Sequence, residues 1–307
     1  MTPLVTRQSY MALNVEDLDA CVKDAENVLG LRIVDYHDGR AVLTATGRRA
    51  ELMLHQASGN AARTVGLEAL DGDAVEAAAS RASAVGLTVL SREPSLPCIE
   101  RSVTFETSDG HVFEVHTPMP ADQPRRYAGA GIHPRGICHV NLTSPDPWRI
   151  YGELHETLGL NISERTSGCE LVWLRAADGR HHTVGIVKGA RPGIHHYAWE
   201  FAQFNDFMRL GDVLDALDRV VVWGPGRHGA GDNLFAYYLD PAGFMVECSS
   251  EMEVIANDTG YEPKVADIDP DLTNIKVVNR WGAPPPRLWI QHHTNFAAFA
   301  GHGSARG

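Results

Sequence analysis

Cysteine is scarce in this chain and poorly placed for cross-linking. The five cysteines (Cys21, Cys98, Cys138, Cys169, Cys248) are odd in number and scattered, and no CxxC occurs. This argues against a disulfide framework or a zinc ribbon and fits a reducing, cytoplasmic setting. Long apolar runs are also missing. No stretch approaches 18 uninterrupted apolar residues, so no transmembrane helix is expected. The first twenty residues lack the apolar segment of a signal peptide. Cations are outnumbered: 27 Lys and Arg stand against 39 Asp and Glu, a formal charge of −12. A nucleic-acid partner, which requires a basic face, is therefore not expected. An anionic small substrate stays open, because one local Arg can serve one carboxylate.

What is present is enough for a large core. The chain has 307 residues, 44% of them hydrophobic, which allows one long domain or two ordinary ones. Residues 7–15 read as a strand and 17–29 as a helix, with Leu18, Val22, Ala25 and Leu29 on one face and Gly30 as its cap. Strand-like runs follow at 32–36, 41–46 and 51–55. A second unit repeats that order, with strand 65–69, helix 72–85 and strands near 87–90, 102–107 and 111–116. A polar stretch rich in Pro, Gly and Arg, 118–134, reads as a linker. The pattern then restarts with strand 137–142 and helix 148–158.

The two halves echo each other. Leu-Gly-Leu at 29–31 returns at 158–160, 129 positions later, and Gly-His-Val-Phe-Glu-Val (110–115) is answered by Gly-Phe-Met-Val-Glu-Cys (243–248), 133 positions later. Similar offsets at opposite ends of a half indicate duplication. The expected fold is α+β, with two tandem domains, each of two β-α-β-β-β modules. Residues 1–120 form a structural domain without metal, and 131–255 a catalytic, metal-binding domain. The Pro-rich tail, 256–307, is expected to be irregular and to pack on the surface or over the site.

The chemistry concentrates in the second half. His139 lies in strand 137–142, His195 and His196 open a strand at 194–201, and Glu247 lies at the end of strand 244–248. A carboxylate inside an apolar run needs a positive partner, a metal ion or an Arg. Two imidazoles and a carboxylate with open positions make the facial frame of non-haem Fe(II). Adjacent strand residues alternate faces, so one of His195 and His196 is expected to be the ligand. Any single one of the fifteen histidines is more often a packed or surface residue. Gly224–Gly229 spells GxGxxG but precedes a strand, so it reads as a loop presenting His228 rather than a dinucleotide site. In the first half the repeat places Tyr10 opposite His139, Thr64 or Val65 opposite His196, and Glu114 opposite Glu247. Only the carboxylate is retained there, so that half is expected to hold no metal, with Glu114 a partly buried or strand-end carboxylate.

His228 in a Gly-rich loop, then Tyr237, Asp240-Pro241-Ala242-Gly243 and Glu247, form a connected motif. His-His-Thr-Val-Gly (181–185) and Gly-Ile-His-His-Tyr-Ala-Trp (193–199) precede it. Together they resemble the type I extradiol (meta-cleaving) ring-cleavage dioxygenases of the vicinal oxygen chelate superfamily, closely over 131–255. The resemblance implies the vicinal oxygen chelate fold and cleavage of a catechol-type diol with O2. It implies metal ligands at His139, His196 and Glu247, holding Fe(II) or in some members Mn(II). It implies an acid–base role for His182, and hydrogen bonds to substrate from His228 and Tyr237. Trp173 and Trp223 are expected to touch the substrate. Two departures stand out. Ala236 replaces a larger aliphatic residue, and Trp223 stands where relatives that bind carboxylated catechols can carry Arg, which leaves Arg280 or Arg287 to supply a cation. Cys138 and Cys248, beside expected ligands, are read as small buried residues facing away from the metal. A homo-oligomer is expected, with partners limited to a small aromatic diol and O2. The rival readings are another metalloenzyme on the same fold, of glyoxalase or epimerase type, and a non-enzymatic ligand-binding protein.

Overall fold

A computed structural model describes residues 1–122, 130–256, 260–267, 276 and 278–302. Seven residues of the expected linker, 123–129, lie outside that set, as do 303–307 at the end of the tail. Two large sheets carry the fold. The first module is β1 (Val5–Val15), helix α1 (Leu18–Asp24), β2 (Arg32–His37), β3 (Arg40–Thr44) and β4 (Leu52–Gln56). The second is β5 (Ala61–Ala69), α2 (Gly72–Ala84), β6 (Thr88–Ser91), β7 (Ser102–Glu106) and β8 (Val112–His116). They join along β1 and β5, which pair antiparallel, to give the order β2-β3-β4-β1-β5-β8-β7-β6.

The second half repeats this plan. Its modules are β9 (Gly136–Ser144), α3 (Pro147–Leu158), β10 (Asn161–Thr166), β11 (Leu171–Arg175) and β12 (Val184–Lys188), then β13 (Gly193–Glu200), α4 (Asn205–Ala216), β14 (Trp223–Arg227), β15 (Leu234–Leu239) and β16 (Met245–Ser250). Strands β9 and β13 form the central antiparallel pair, as β1 and β5 do in the first half. The four expected β-α-β-β-β modules are therefore present.

Local chemistry accounts for the helix ends. Asp17, Asp71 and Asp146 each accept a hydrogen bond from a first-turn amide, and Pro147 opens α3 where its missing N–H costs nothing. Gly159 closes α3 in the left-handed conformation. The helix expected over 17–29 is divided: α1 ends at Asp24 and a π turn, Ala25–Leu29, completes it.

Alternation along the central strands decides what each face does. Val140 and Leu142 of β9, Tyr197 of β13 and Val246 of β16 join a core cluster with Ile150, Leu154 and Leu158 of α3. The intervening residues of those strands, His139, Asn141, His196 and Glu247, line a cavity of about 770 Å³. One face of the second sheet is thus core and the other is site.

Two expectations are corrected here. Gly224–Gly229 is not simply a loop, because Trp223–Arg227 pairs with β15 as an edge strand. A Gly-Pro-Gly run has no β propensity of its own, and tertiary pairing overrides it. Gly226 is required there, since a Cβ would stand 2.6 Å from the Phe235 ring. The tail is not wholly irregular. Lys264–Ala266 (β17) adds to the second sheet beside β10, and Arg287–Ile290 (α5) makes a helical turn against the cavity. Beyond α5 the tail crosses both sheets, bridging Ile194 through Thr294 and Ala62 through Phe296.

Candidate metal centre

A single rung of the second sheet sets out the site. Tyr237 of β15 stands opposite Glu247 of β16, Glu247 opposite Ala198 of β13, and Ala198 opposite His139 of β9. His196 lies two residues before Ala198 on β13, and small Ala198 leaves room between the larger groups. Nε2 of His139 and Nε2 of His196 each lie 3.0 Å from Oε2 of Glu247. One donor atom from each residue falls within 4.8 Å of the others, and all three side chains are buried. Burial opposes ionisation of Glu247, yet the two imidazoles beside it hold its carboxyl well below the usual carboxylate range. Burial lowers His196 from the usual imidazole range, with Glu247 opposing. Two imidazoles beside a carboxylate are the donor set of a divalent ion. Ligands at about 2.1 Å in adjacent positions stand roughly 3 Å apart, so these residues fit one.

The ligand candidates are supported from behind. The His139 Nδ1–H faces Sγ of Cys138 at 3.3 Å, and that thiol donates to the Ala198 carbonyl at 3.5 Å. Cys138 therefore packs on the far nitrogen of His139 rather than simply facing away. Cys248 is buried in the apolar core. Asn233 donates to Oε1 of Glu247 at 3.0 Å, orienting the carboxylate. The phenol of Tyr237 donates to Oε2 of Glu247 at 2.9 Å and lies 2.9 Å from Nε2 of His228. His228 in turn gives its Nδ1–H to the Val278 carbonyl at 2.7 Å, so its Nε2 is an acceptor. One phenolic hydrogen thus faces two acceptors. Burial pushes His228 down to about 4, which keeps it neutral near pH 7.

His182, in the turn before β12, lines the same cavity with its ring 4.3 Å from that of His139. Burial and the neighbouring His139 and His181 push it well below the usual imidazole range. Trp173 also lines the cavity. Trp223 does not: it is buried, stacks on Tyr237 and gives its indole N–H to the Ala283 carbonyl. Its role is packing behind the Tyr237 ring. Arg280 pairs with Asp232 and Arg287 bonds Gln291, and neither reaches the cavity, whose outer part carries Lys188 and Arg191 instead.

Strict alternation fails at one place. A β-bulge between Ile194 and His196 turns both histidines toward the cavity, although His196 alone joins the Glu247 cluster. Cavity residues not anticipated from the sequence include Asn141, Asn233 and Trp289. Asn141 had a visible signal, lying two residues after His139 on one strand. Trp289 had none, because its position depends on where the tail crosses.

The first sheet builds the corresponding rung from Thr104, Glu114, Gly66 and Tyr10. Its register makes Thr64, not Val65, the counterpart of His196. Glu114 is fully buried in mid-strand rather than at a strand end, and it accepts from Tyr10, from the Ser95 hydroxyl at 2.5 Å and from the Ser95 amide at 2.9 Å. A phenol and a serine partner this carboxylate, where two imidazoles face its counterpart Glu247.

The arrangement agrees with what the chain resembles. Residues 7–115 match the family described as the glyoxalase/bleomycin resistance protein/dioxygenase superfamily. That stretch, just over a third of the chain, is a domain of this superfamily. The match falls on the half without the histidine cluster, so it reports fold rather than chemistry. The chain is 29% identical to metapyrocatechase 2 of Cupriavidus necator over 63% of its length, an alignment spanning 64% of that relative, just under two thirds. It is 26% identical to the manganese-dependent 2,3-dihydroxybiphenyl 1,2-dioxygenase of Geobacillus genomosp. 3 over 86% of this chain and 90% of that one. Among solved structures, the Mn(II)-bound glyoxalase from Novosphingobium aromaticivorans superposes with a TM-score of 0.85 at 27% identity over 99% of both chains. Homoprotocatechuate 2,3-dioxygenase from Arthrobacter globiformis does so with 0.87 at 22% identity, over 97% of this chain and 94% of that one, a likeness of fold.

Proposed function

We propose that this chain is an extradiol dioxygenase, which opens a catechol-type ring beside its diol with both atoms of O2 and releases a semialdehyde or keto acid. The observation that carries this reading is the buried His139–His196–Glu247 cluster on the wall of a cavity shared with His182, His228 and Tyr237. Two curated relatives that are themselves named for such reactions support it. His139, His196 and Glu247 would hold Fe(II) or Mn(II), and the ion, when bound, supplies the Lewis acidity that favours the deprotonated diol and the redox centre for O2.

The other groups have distinct tasks. His182, neutral and buried, accepts a proton from the diol and returns it to the opening ring. Tyr237 directs its single hydrogen either to Glu247 or to an oxyanion of the substrate. His228, anchored through Val278, holds the phenol in place. The apolar and aromatic walls exclude water around the reacting ring.

A second reading rests on the glyoxalase structure, similar over the whole chain. Oxygen separates the two. Protein purified without O2 is assayed for iron and manganese, then mixed with a panel of catechols while O2 and visible absorbance are followed. About one metal ion per chain, O2 uptake and a yellow product are expected. Bound metal with no O2 consumed by any catechol would favour an isomerase or lyase. No stoichiometric metal after anaerobic loading would turn the reading to a ligand-binding protein.

A further inference from the structure

His195 is buried beside His196 and belongs to no ion pair among the described residues, yet it makes two short, directed contacts. Its Nδ1 lies 2.7 Å from Nδ1 of His196, and its Nε2 lies 2.7 Å from the backbone carbonyl of Trp289 in the tail. The Trp289 ring packs against the imidazole at 4.6 Å between centroids. The β-bulge after Ile194 makes this possible by turning two successive side chains to one face.

Donor and acceptor rules fix the protons along this row. A carbonyl oxygen only accepts, so Nε2 of His195 carries a hydrogen. A neutral imidazole protonated there has a lone pair at Nδ1. His196 must then donate from its own Nδ1, which leaves the lone pair of His196 at Nε2, the nitrogen that faces Glu247. That tautomer alone can bind an ion. The competing tautomer would give the His196 Nε2–H to Glu247 and close the site.

We infer that His195 is a positioning residue: it relays the Trp289 carbonyl to His196 and selects the metal-binding tautomer, so the C-terminal tail is a working part of the metal centre. This rests on the reading of His139, His196 and Glu247 as metal ligands. A second observation supports it independently. The first sheet has a bulge at the corresponding place, where Ala12 faces Thr64 and Leu13 faces Ala62, which makes Arg63 the counterpart of His195. Arg63 also donates to a tail carbonyl, that of Gly301, at 2.5 Å. The tail bonds the neighbouring equivalent residues as well, Ile194 through Thr294 and Ala62 through Asn295 and Ala297. Both bulges therefore present a donor to the same strap, but only in the second half does that donor go on to touch a ligand.

The test measures Mn(II) affinity by competition with a chelator, together with the melting temperature of the metal-free protein. His195→Phe removes both hydrogen bonds and is expected to weaken Mn(II) binding roughly 10- to 100-fold, the usual effect of losing a group that orients a ligand. His195→Asn keeps an acceptor near Nδ1 and is expected to restore most of that affinity, whatever its effect on melting. Should His195→Phe not fold, His195→Ala carries the same expectation. Equal affinity in parent and His195→Phe, or an Asn variant that is folded yet as weak as the Phe or Ala one, would overturn the role of His195. A parent that binds no Mn(II) would overturn the metal centre and this role together. Binding is read without catechol or turnover, so a chain that fails as a dioxygenase can still pass.

Discussion

His182 and Tyr237 share a cavity with the ligand cluster, and what each touches sets what its loss will do. His182 bonds no member of the cluster directly, so His182→Ala is expected to lower turnover roughly 10²- to 10⁴-fold while leaving metal content unchanged. Steady-state O2 uptake and metal analysis of one preparation decide this, and loss of the metal would remove the acid–base assignment. Tyr237→Phe deletes a hydrogen bond to a carboxylate, worth about 1.5–3 kcal/mol, so a fall in turnover of about 10- to 100-fold is expected. At this scale much was legible. His139, His196 and Glu247 could be marked because polar groups inside apolar strands need a reason. His195 could not be assigned, since a bulge has no signature in a run of apolar and histidine residues, and period-two counting assigns it to the wrong face. Asn233 was hidden in a glycine-rich stretch that reads as a turn.

The central strands were readable because apolar and β-branched residues bounded by turn signals suffice for them. Edge strand β14 was not, because glycine and proline have no β tendency and its place depends on Phe235 and Tyr237 across the pair. Strand β5 supplies a test of close packing. Gly66 lies opposite Tyr10, and a Cβ there would stand 2.2 Å from the phenol ring, which is itself fixed by Glu114. Neither partner can yield, so Gly66→Ala is expected to destabilise the protein by about 1–3 kcal/mol. Thermal melting checks this. Removing the ring in Gly66→Ala/Tyr10→Ala should make the two changes strongly non-additive, and simple additivity would show that the contact is not the cause.

Across the whole molecule the two sheets meet through groups whose protonation matters. His111 is fully buried, accepts from Thr107 at Nδ1 and donates from Nε2 to the Thr143 carbonyl of the second sheet, both at 3.0 Å. Burial pushes this imidazole from 6.5 down to about 4. Between those values the unfolded chain takes up a proton that the folded one refuses. The stability is present above pH 6.5 and is lost as pH falls toward 4, on the order of 3 kcal/mol for this group. Denaturant midpoints at pH 7.5 and 4.5 are expected to differ less in His111→Gln than in the parent. An equal loss in both would place the acid sensitivity elsewhere, for example at His55, which burial lowers to about 3. The duplication was legible from two matching offsets. The seam was not, because His111 and Thr143 belong to different halves and no local pattern links them.

The crossing of the tail has a consequence for how the protein is made. Trp289 follows His139, His196 and Glu247 in the sequence, so a ribosome produces every proposed ligand before it produces the carbonyl inferred to orient one of them. The first sheet can close while the second is being synthesised. On the inferred role of His195, the centre becomes competent only when the strap reaches the second-half bulge. On that same role, a chain whose strap is not yet in place leaves His196 free to give its proton to Glu247, which closes the site to metal.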